Sequence, residues 1–172
     1  MDAPSVIDGL ALRDERNDDE SFLRALYAAT RADELAAVGW SPAQTDAFLR
    51  MQFDLQRAHY RRHYPDASFL IVLRDGCPIG RLYVNYRPDD VRVLDIALMP
   101  AARGQGVGHR LLTNVIERAA RVGAPVTLHV AVGNHAKRLY ERLGFRIVTQ
   151  DDANLFMERP HTGVGQSPVH RR

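Results

Sequence analysis

The sequence predicts an α/β domain built on a mixed sheet, and three observations carry that expectation. Residues 68–100 contain three apolar, β-branched runs separated by turn residues. Segments with helical apolar spacing lie on both sides of them. One strand also runs into a glycine-rich turn that opens a strongly amphipathic helix. The 172 residues suit one compact domain, and 45% hydrophobic content is enough for a core. Residues 1–159 are expected to form that domain. Residues 160–172 carry Pro, Gly and Ser without periodicity and are expected to be a flexible tail.

In chain order, "GLALR" at 9–13 reads as a short strand. "NDDESFLRALYAATRADEL" follows as a helix whose acidic first turn suits the positive end of the dipole, with Phe22, Leu23, Leu26 and Tyr27 at helical spacing. A second helix begins at Ser41, with Pro42 in its first turn and Gln44 completing a capping box. Phe48, Met51 and Leu55 read as its apolar stripe, and Pro65 ends it. "SFLIVLRDG", "CPIGRLYVNYR" and "VRVLDIALMP" form an antiparallel meander with a hairpin at Asp75-Gly76. The helix after the glycine turn places Val107, Leu111, Leu112, Val115, Ile116 and Ala119 on one face and stops at Gly123. "PVTLHVAV" alternates as a strand, and "NHAKRLYERLG" forms a short helix with Ala136, Leu139, Tyr140 and Leu143 on one face. "FRIVTQ" and "ANLFMER" close the domain as strands.

Composition excludes several classes. A net charge of +2, with dense basic runs only at 61–63 and 170–172, argues against a nucleic-acid binder. No stretch approaches about 18 consecutive apolar residues, and the N-terminus lacks a signal-peptide pattern, so neither membrane nor export is expected. The single cysteine, Cys77, permits no internal disulfide and fits a cytoplasmic protein. It has no His or acid at motif spacing, so a thiol nucleophile is not expected. The seven histidines form no ligand pattern, so no metal is expected.

The chemistry concentrates in "ARGQGVGHRLL", residues 102–112. Glycines at 104, 106 and 108 at the mouth of a helix expose backbone amides, and with the dipole those make an anion site. The plain alternative is a turn that only changes the chain's direction. A P-loop would need Gly-Lys-Ser/Thr where Gly108-His109-Arg110 stands. A dinucleotide fold would need different glycine spacing and a later acid, and no Asp or Glu occurs from 118 to 140.

Arg103-Gly104-Gln105-Gly106-Val107-Gly108 resembles the Arg/Gln-x-x-Gly-x-Gly/Ala signature of the GNAT acetyltransferase superfamily. Asn134 with "AKRLYERLGF" at 136–145 resembles that family's Asn…Ala-x-x-x-Tyr-x-x-x-Gly-Phe segment, one residue shorter between Asn134 and Ala136. The resemblance covers roughly residues 8–159. It implies the GNAT fold, a mixed, mostly antiparallel and splayed sheet of six or seven strands with about four helices. It also implies an acetyl-CoA-dependent N-acetyltransferase acting on a primary amine.

The same resemblance assigns site residues. Pantetheine would lie between strands 92–99 and 126–132 and pair with the backbone of Ala97, Leu98 and Met99. The pyrophosphate would sit on 103–108, with Arg103, His109 and Arg110 nearby; Arg103 is equally readable as a solvated loop arginine. Asn134 is a helix cap, a cofactor contact, or both. Tyr140 is either a core aromatic or the general acid for the leaving thiolate, as a phenol with pKa near 10 can be. The position of the best-known members' basic glutamate falls on Arg92, which cannot be a base. Asp95 is either a buried structural carboxylate or a base, so the base stays unassigned.

Weaker acceptor-side candidates are Tyr83 and Asn85 on one strand, Gln52, Gln56, His59 and Tyr60 on the second helix, and Glu34 and Trp40 at a rim. The missing glutamate keeps a non-catalytic CoA-binding module as the alternative, and the resemblance leaves a homodimer open.

Overall fold

A computed structural model describes residues 5–7 and 9–161; most of the expected tail, from 162 on, lies outside the described residues. The described residues form eight strands and four α-helices, at least one strand more than the resemblance implies. The chain packs as two compact units, the first made of residues up to Asn85 with Val93–Leu111, the second of Tyr86–Arg92 with the residues from Leu112 on.

In the first unit, β1 (Ser5–Ile7), β2 (Leu10–Asp14), β3 (Ser68–Arg74), β4 (Cys77–Tyr86) and β5 (Val91–Leu98) neighbour one another in that order. The first four pair antiparallel. The β3–β4 turn is the expected one: Asp75 and Gly76 have φ of 50° and 77°, the left-handed pair that a two-residue hairpin favours. Val72 pairs with Gly80 but Leu73 with Pro78, so Ile79 is an extra residue. This bulge brings Gly80 against β5. A Cβ there would strike the Ala97 carbonyl oxygen and come within 2.6 Å of Leu98 Cδ2, so only glycine fits.

α1 (Glu20–Ala36) and α2 (Pro42–His63) supply the other half of this core. Leu23, Tyr27, Phe53 and Ile71 are buried together, with Phe22, Leu49 and Leu73 packed on them. The Ser41 cap forms as expected: its hydroxyl accepts from the Gln44 amide at 3.3 Å, and the Gln44 side chain accepts from the Ser41 amide at 2.9 Å.

The apolar stripe expected on α2 needs correction. Met51 and Leu55 are 51% and 59% exposed, while Phe53 is buried. The true inner face runs through Leu49, Phe53, Gln56 and Tyr60. It reads as half polar because its C-terminal part serves a buried network. The Glu15 side chain, 1% exposed, accepts from Arg57 and Arg61 at 3.0 and 2.9 Å and from the Tyr83 hydroxyl. Buried Arg81 pairs with Asp95 and donates to Gln56. The Tyr60 hydroxyl donates to the Leu94 carbonyl at 3.1 Å.

The second unit holds the β4–β5 connection, most of α3 (Val107–Val122), β6 (Val126–Ala131), α4 (Lys137–Arg142), β7 (Arg146–Gln150) and β8 (Asn154–Arg159). Its strands run β6-β8-β7 with antiparallel pairing, and Val91 at the start of β5 donates to Pro125. Alternation buries Leu128 and Val130 of β6 and Leu155 and Met157 of β8, together with Leu112, Val115 and Ala119 of α3. Gly123 ends α3 at φ 74°, as expected.

Candidate active site

In the first unit, the expected site residues stand on a strand end and the loop that follows. Met99 donates its amide to the Ile79 carbonyl of β4 at 2.8 Å. Backbone groups alternate along an antiparallel strand, so Ala97 and Met99 face β4 while Ile96 and Leu98 face the other edge. Of the three residues expected to meet pantetheine, Leu98 therefore turns its amide away from β4. Its carbonyl already accepts from Arg103 Nε at 2.9 Å.

Past the 3₁₀ turn Pro100–Ala102, Gly104 and Gly106 take φ of 71° and 74°, and α3 starts at Val107. A left-handed residue costs a non-glycine side chain about 1–2 kcal/mol, which explains the glycine spacing. The first-turn amides of Val107, Gly108 and His109 have no acceptor inside the helix. Nothing lies within 4 Å of where a Cβ would sit on Gly104 or Gly106, so the loop face is open. Side chains brace this loop. Arg103 Nη2 also reaches the Ala29 carbonyl at 3.4 Å, and Gln105 donates to Ala101 at 2.6 Å while accepting from Arg74 at 2.7 Å. Val107 is buried, and His109 is exposed.

In the second unit, the expected site residues stand around β6 and α4. Asn134 follows Gly133 and accepts the Ala136 amide at 2.8 Å, a turn two residues long; the helix N-cap is Ala136, so the capping role expected of Asn134 is replaced by this turn. Tyr140 is buried at 6% exposure with its ring edge-on to Phe145 at 5.9 Å, and the Phe145 amide returns to its carbonyl. Gly144, at φ 89°, makes that return possible, and Arg159 Nε holds the adjacent Leu143 carbonyl at 2.9 Å.

A second cluster lies on the half-open face of this unit. Arg92 donates to Thr127 Oγ1 at 3.3 Å and pairs with Asp90 at 3.4 Å, while Thr127 donates to Asp90 at 2.6 Å. Arg92 also sits over the Phe156 ring, 5.7 Å from its centre, and His129 packs tilted against that same ring, 4.9 Å between centres. Burial, and then the Arg92 charge, hold the His129 imidazole below its ordinary value of 6.5, with Asp151 opposing them. No motif in the sequence marks His129.

The acceptor-side candidates divide. Tyr83, Gln56 and Tyr60 belong to the buried network around Glu15 and Arg81, and burial pushes both phenols well up. Asp95 is committed to Arg81. Trp40 is 42% exposed, packs edge-on against Phe48, and lines a cavity of about 540 Å³ with Leu35, Pro42 and Leu49. Glu34 pairs with Arg31 on α1. Among the described residues no group of three or more His, Cys, Asp or Glu side chains could hold a metal.

Residues 30–145, well over half the chain, match the family model described as acetyltransferase (GNAT) family. Two Bacillus subtilis (strain 168) proteins are similar. One, provisionally named a ribosomal protein bS18-alanine N-acetyltransferase, is 32% identical over 84 residues, 48% of this chain and 56% of its own length. The other is an uncharacterized N-acetyltransferase, YvbK, 35% identical over 81 residues, 44% and 52% of the two chains. The chain thus spans about half the length of these relatives. The PaiA N-acetyltransferase of Thermoplasma acidophilum, solved in complex with coenzyme A, superposes with a TM-score of 0.65 at 18% identity over 88% of this chain and 98% of that one. An acetyltransferase of Thermus thermophilus does so at 0.65 and 19% identity, over 90% and 98%. These two likenesses show the fold.

Proposed function

From its membership of the GNAT acetyltransferase family, to which this chain belongs, we propose that the protein is an acetyl-CoA-dependent N-acetyltransferase acting on a primary amine. The observation that carries this is the loop of alternating left-handed glycines, Gly104 and Gly106, opening the N-terminus of α3 with its amides unspent. Acetyl-CoA supplies a thioester-bound acetyl group. The residues of this chain bind and orient it: the amides of 104–108 take the pyrophosphate, the Arg103 amide being spent on the Pro100 carbonyl, with His109 at the rim, and the Leu98 amide, turned away from β4, is offered to pantetheine. Arg103 acts by bracing the loop through Leu98 and Ala29. Asn134 shapes the turn into α4, and Tyr140 donates its phenolic proton to the departing thiolate.

The acceptor of the bS18-alanine relative makes an alanine-initiated peptide the first amine to try. The lone, exposed Cys77 fits a cytoplasmic setting, and among the described residues no helix is long and apolar enough to cross a membrane. Thiol release from acetyl-CoA, measured with that peptide and a panel of small amines, tests the proposal. Turnover is expected, and Tyr140→Phe should lower kcat about 10²-fold with cofactor affinity held. Tight CoA binding without turnover on any amine would establish a non-catalytic CoA-binding module instead.

A further inference from the structure

We infer that His129 is the general base that takes the proton from the acceptor amine, an assignment that rests on the acetyltransferase function proposed above. An acceptor arrives as an ammonium ion, since an α-amino group titrates near 8. It must lose a proton before its lone pair can attack.

Position first recommends His129. β6 alternates, so Leu128 and Val130 turn into the core and His129 between them turns outward, where its side chain is exposed. β6 is also one of the two strands that the family resemblance sets beside the acetyl-carrying arm. Its partner on β8 is Phe156, and the two rings pack at 4.9 Å between centres, tilted by 38°, a contact that uses neither imidazole nitrogen. Among the described residues neither ring nitrogen has a hydrogen-bond partner. A base needs that condition: a placed ring with a lone pair open to substrate.

The surroundings set its charge. Arg92 approaches from β5, 5.7 Å from the centre of the same Phe156 ring, and Asp90 beside it is consumed by Thr127 and Arg92. Asn154, Phe156 and Glu158 face the same side from β8, and Asp151 stands at the β7–β8 turn with its carboxylate accepting the Ala153 and Asn154 amides. Burial and Arg92 outweigh Asp151, so the imidazole is neutral at pH 7. Arg92, at the position where a glutamate base is usual, keeps its neighbour unprotonated.

Three other carboxylates are already engaged by partners. Asp95 is closed by Arg81, Asp90 by Thr127 and Arg92, and Glu15 is buried under three donors.

The step balances without a further reactant. An imidazole nitrogen takes a proton from the ammonium, giving a free amine and an imidazolium. The amine nitrogen bonds to the thioester carbonyl carbon, the C–S bond breaks, and the thiolate takes the Tyr140 proton. The nitrogen's surplus proton restores the tyrosine through solvent, and exposed His129 returns its own proton to water. The net products are the amide, the thiol and one proton.

The test follows kcat/KM against pH with acetyl-CoA and the alanine-initiated peptide, and the His129 imidazole by NMR titration in the same protein. The wild type should show an acidic limb below pH 6.5 that coincides with the NMR midpoint. His129→Gln should lose that limb and fall about 10²-fold at neutral pH, with unchanged melting and CoA affinity, and added imidazole should partly restore His129→Ala. If His129→Gln keeps both rate and limb while the wild type turns over, His129 is not the base and the enzyme assignment stands. A wild type that turns over no amine removes the enzyme assignment and the base with it.

Discussion

Asp19 shows how much one carboxylate can hold. It receives both Arg13 guanidinium nitrogens at 2.7 Å and the Arg16 amide at 2.8 Å, and it is 7% exposed. The Arg13 hydrogen bonds, above all, hold its carboxyl below the ordinary 3.8. A lowered folded value means that the contribution is complete above the unfolded value and is lost as pH falls through the folded one. Asp19→Asn keeps the shape and removes the charge. It should cost about 1–3 kcal/mol at pH 7 and less at acid pH, the gap to wild type narrowing as pH falls through the lowered folded value. Urea unfolding at neutral and at acid pH measures this; a gap that does not change with pH would show that the pair contributes no charge-dependent stability.

At the scale of elements, α2 separates what the sequence reveals from what it hides. Phe53 lies in the core at 2% exposure, whereas Leu55 is 59% exposed. Phe53→Ala should therefore cost about 3–5 kcal/mol in thermal or urea unfolding. Leu55→Glu should stay within about 0.5 kcal/mol of wild type. Equal losses would restore the outer stripe to the core.

The stripe misleads because periodicity counts only apolar residues, and this helix buries Gln56 and Tyr60 through partners on other elements. Those partners, Arg81 on β4 and Leu94 on β5, are 25 and 34 residues away. Nothing local announces them. Features whose cause is local were legible: the Ser41–Gln44 capping box, the Asp75-Gly76 turn, the Gly123 stop and the glycine loop. β1 was not, being three residues long with no alternation to read. The site divides along the same line. Gly104, Gly106, Asn134 and Tyr140 stand in motifs. The downward push on the His129 imidazole comes from burial and then from Arg92, far earlier in the chain, an environment that only the folded sheet creates.

For the molecule as a whole, charge and ligand binding give opposite expectations about salt. A formal net charge of +2 provides almost no long-range field to gather an anionic cofactor. Binding of the proposed acetyl-CoA would then rest on local donors, chiefly backbone amides at the start of α3, and hydrogen-bonded contacts are short compared with the roughly 8 Å screening length at physiological salt. Ligand that binds only the folded chain adds about 2.7 kcal/mol at a hundredfold excess over Kd. For a chain of this size that corresponds to a melting rise of about 5–11 °C. The rise should appear with acetyl-CoA, fail with NAD or ATP at the same concentration, and shrink only modestly when salt is raised from about 0.1 to 0.5 M, since close contacts escape most screening. A rise abolished by salt would mean that the arginines, rather than the glycine loop, hold the cofactor.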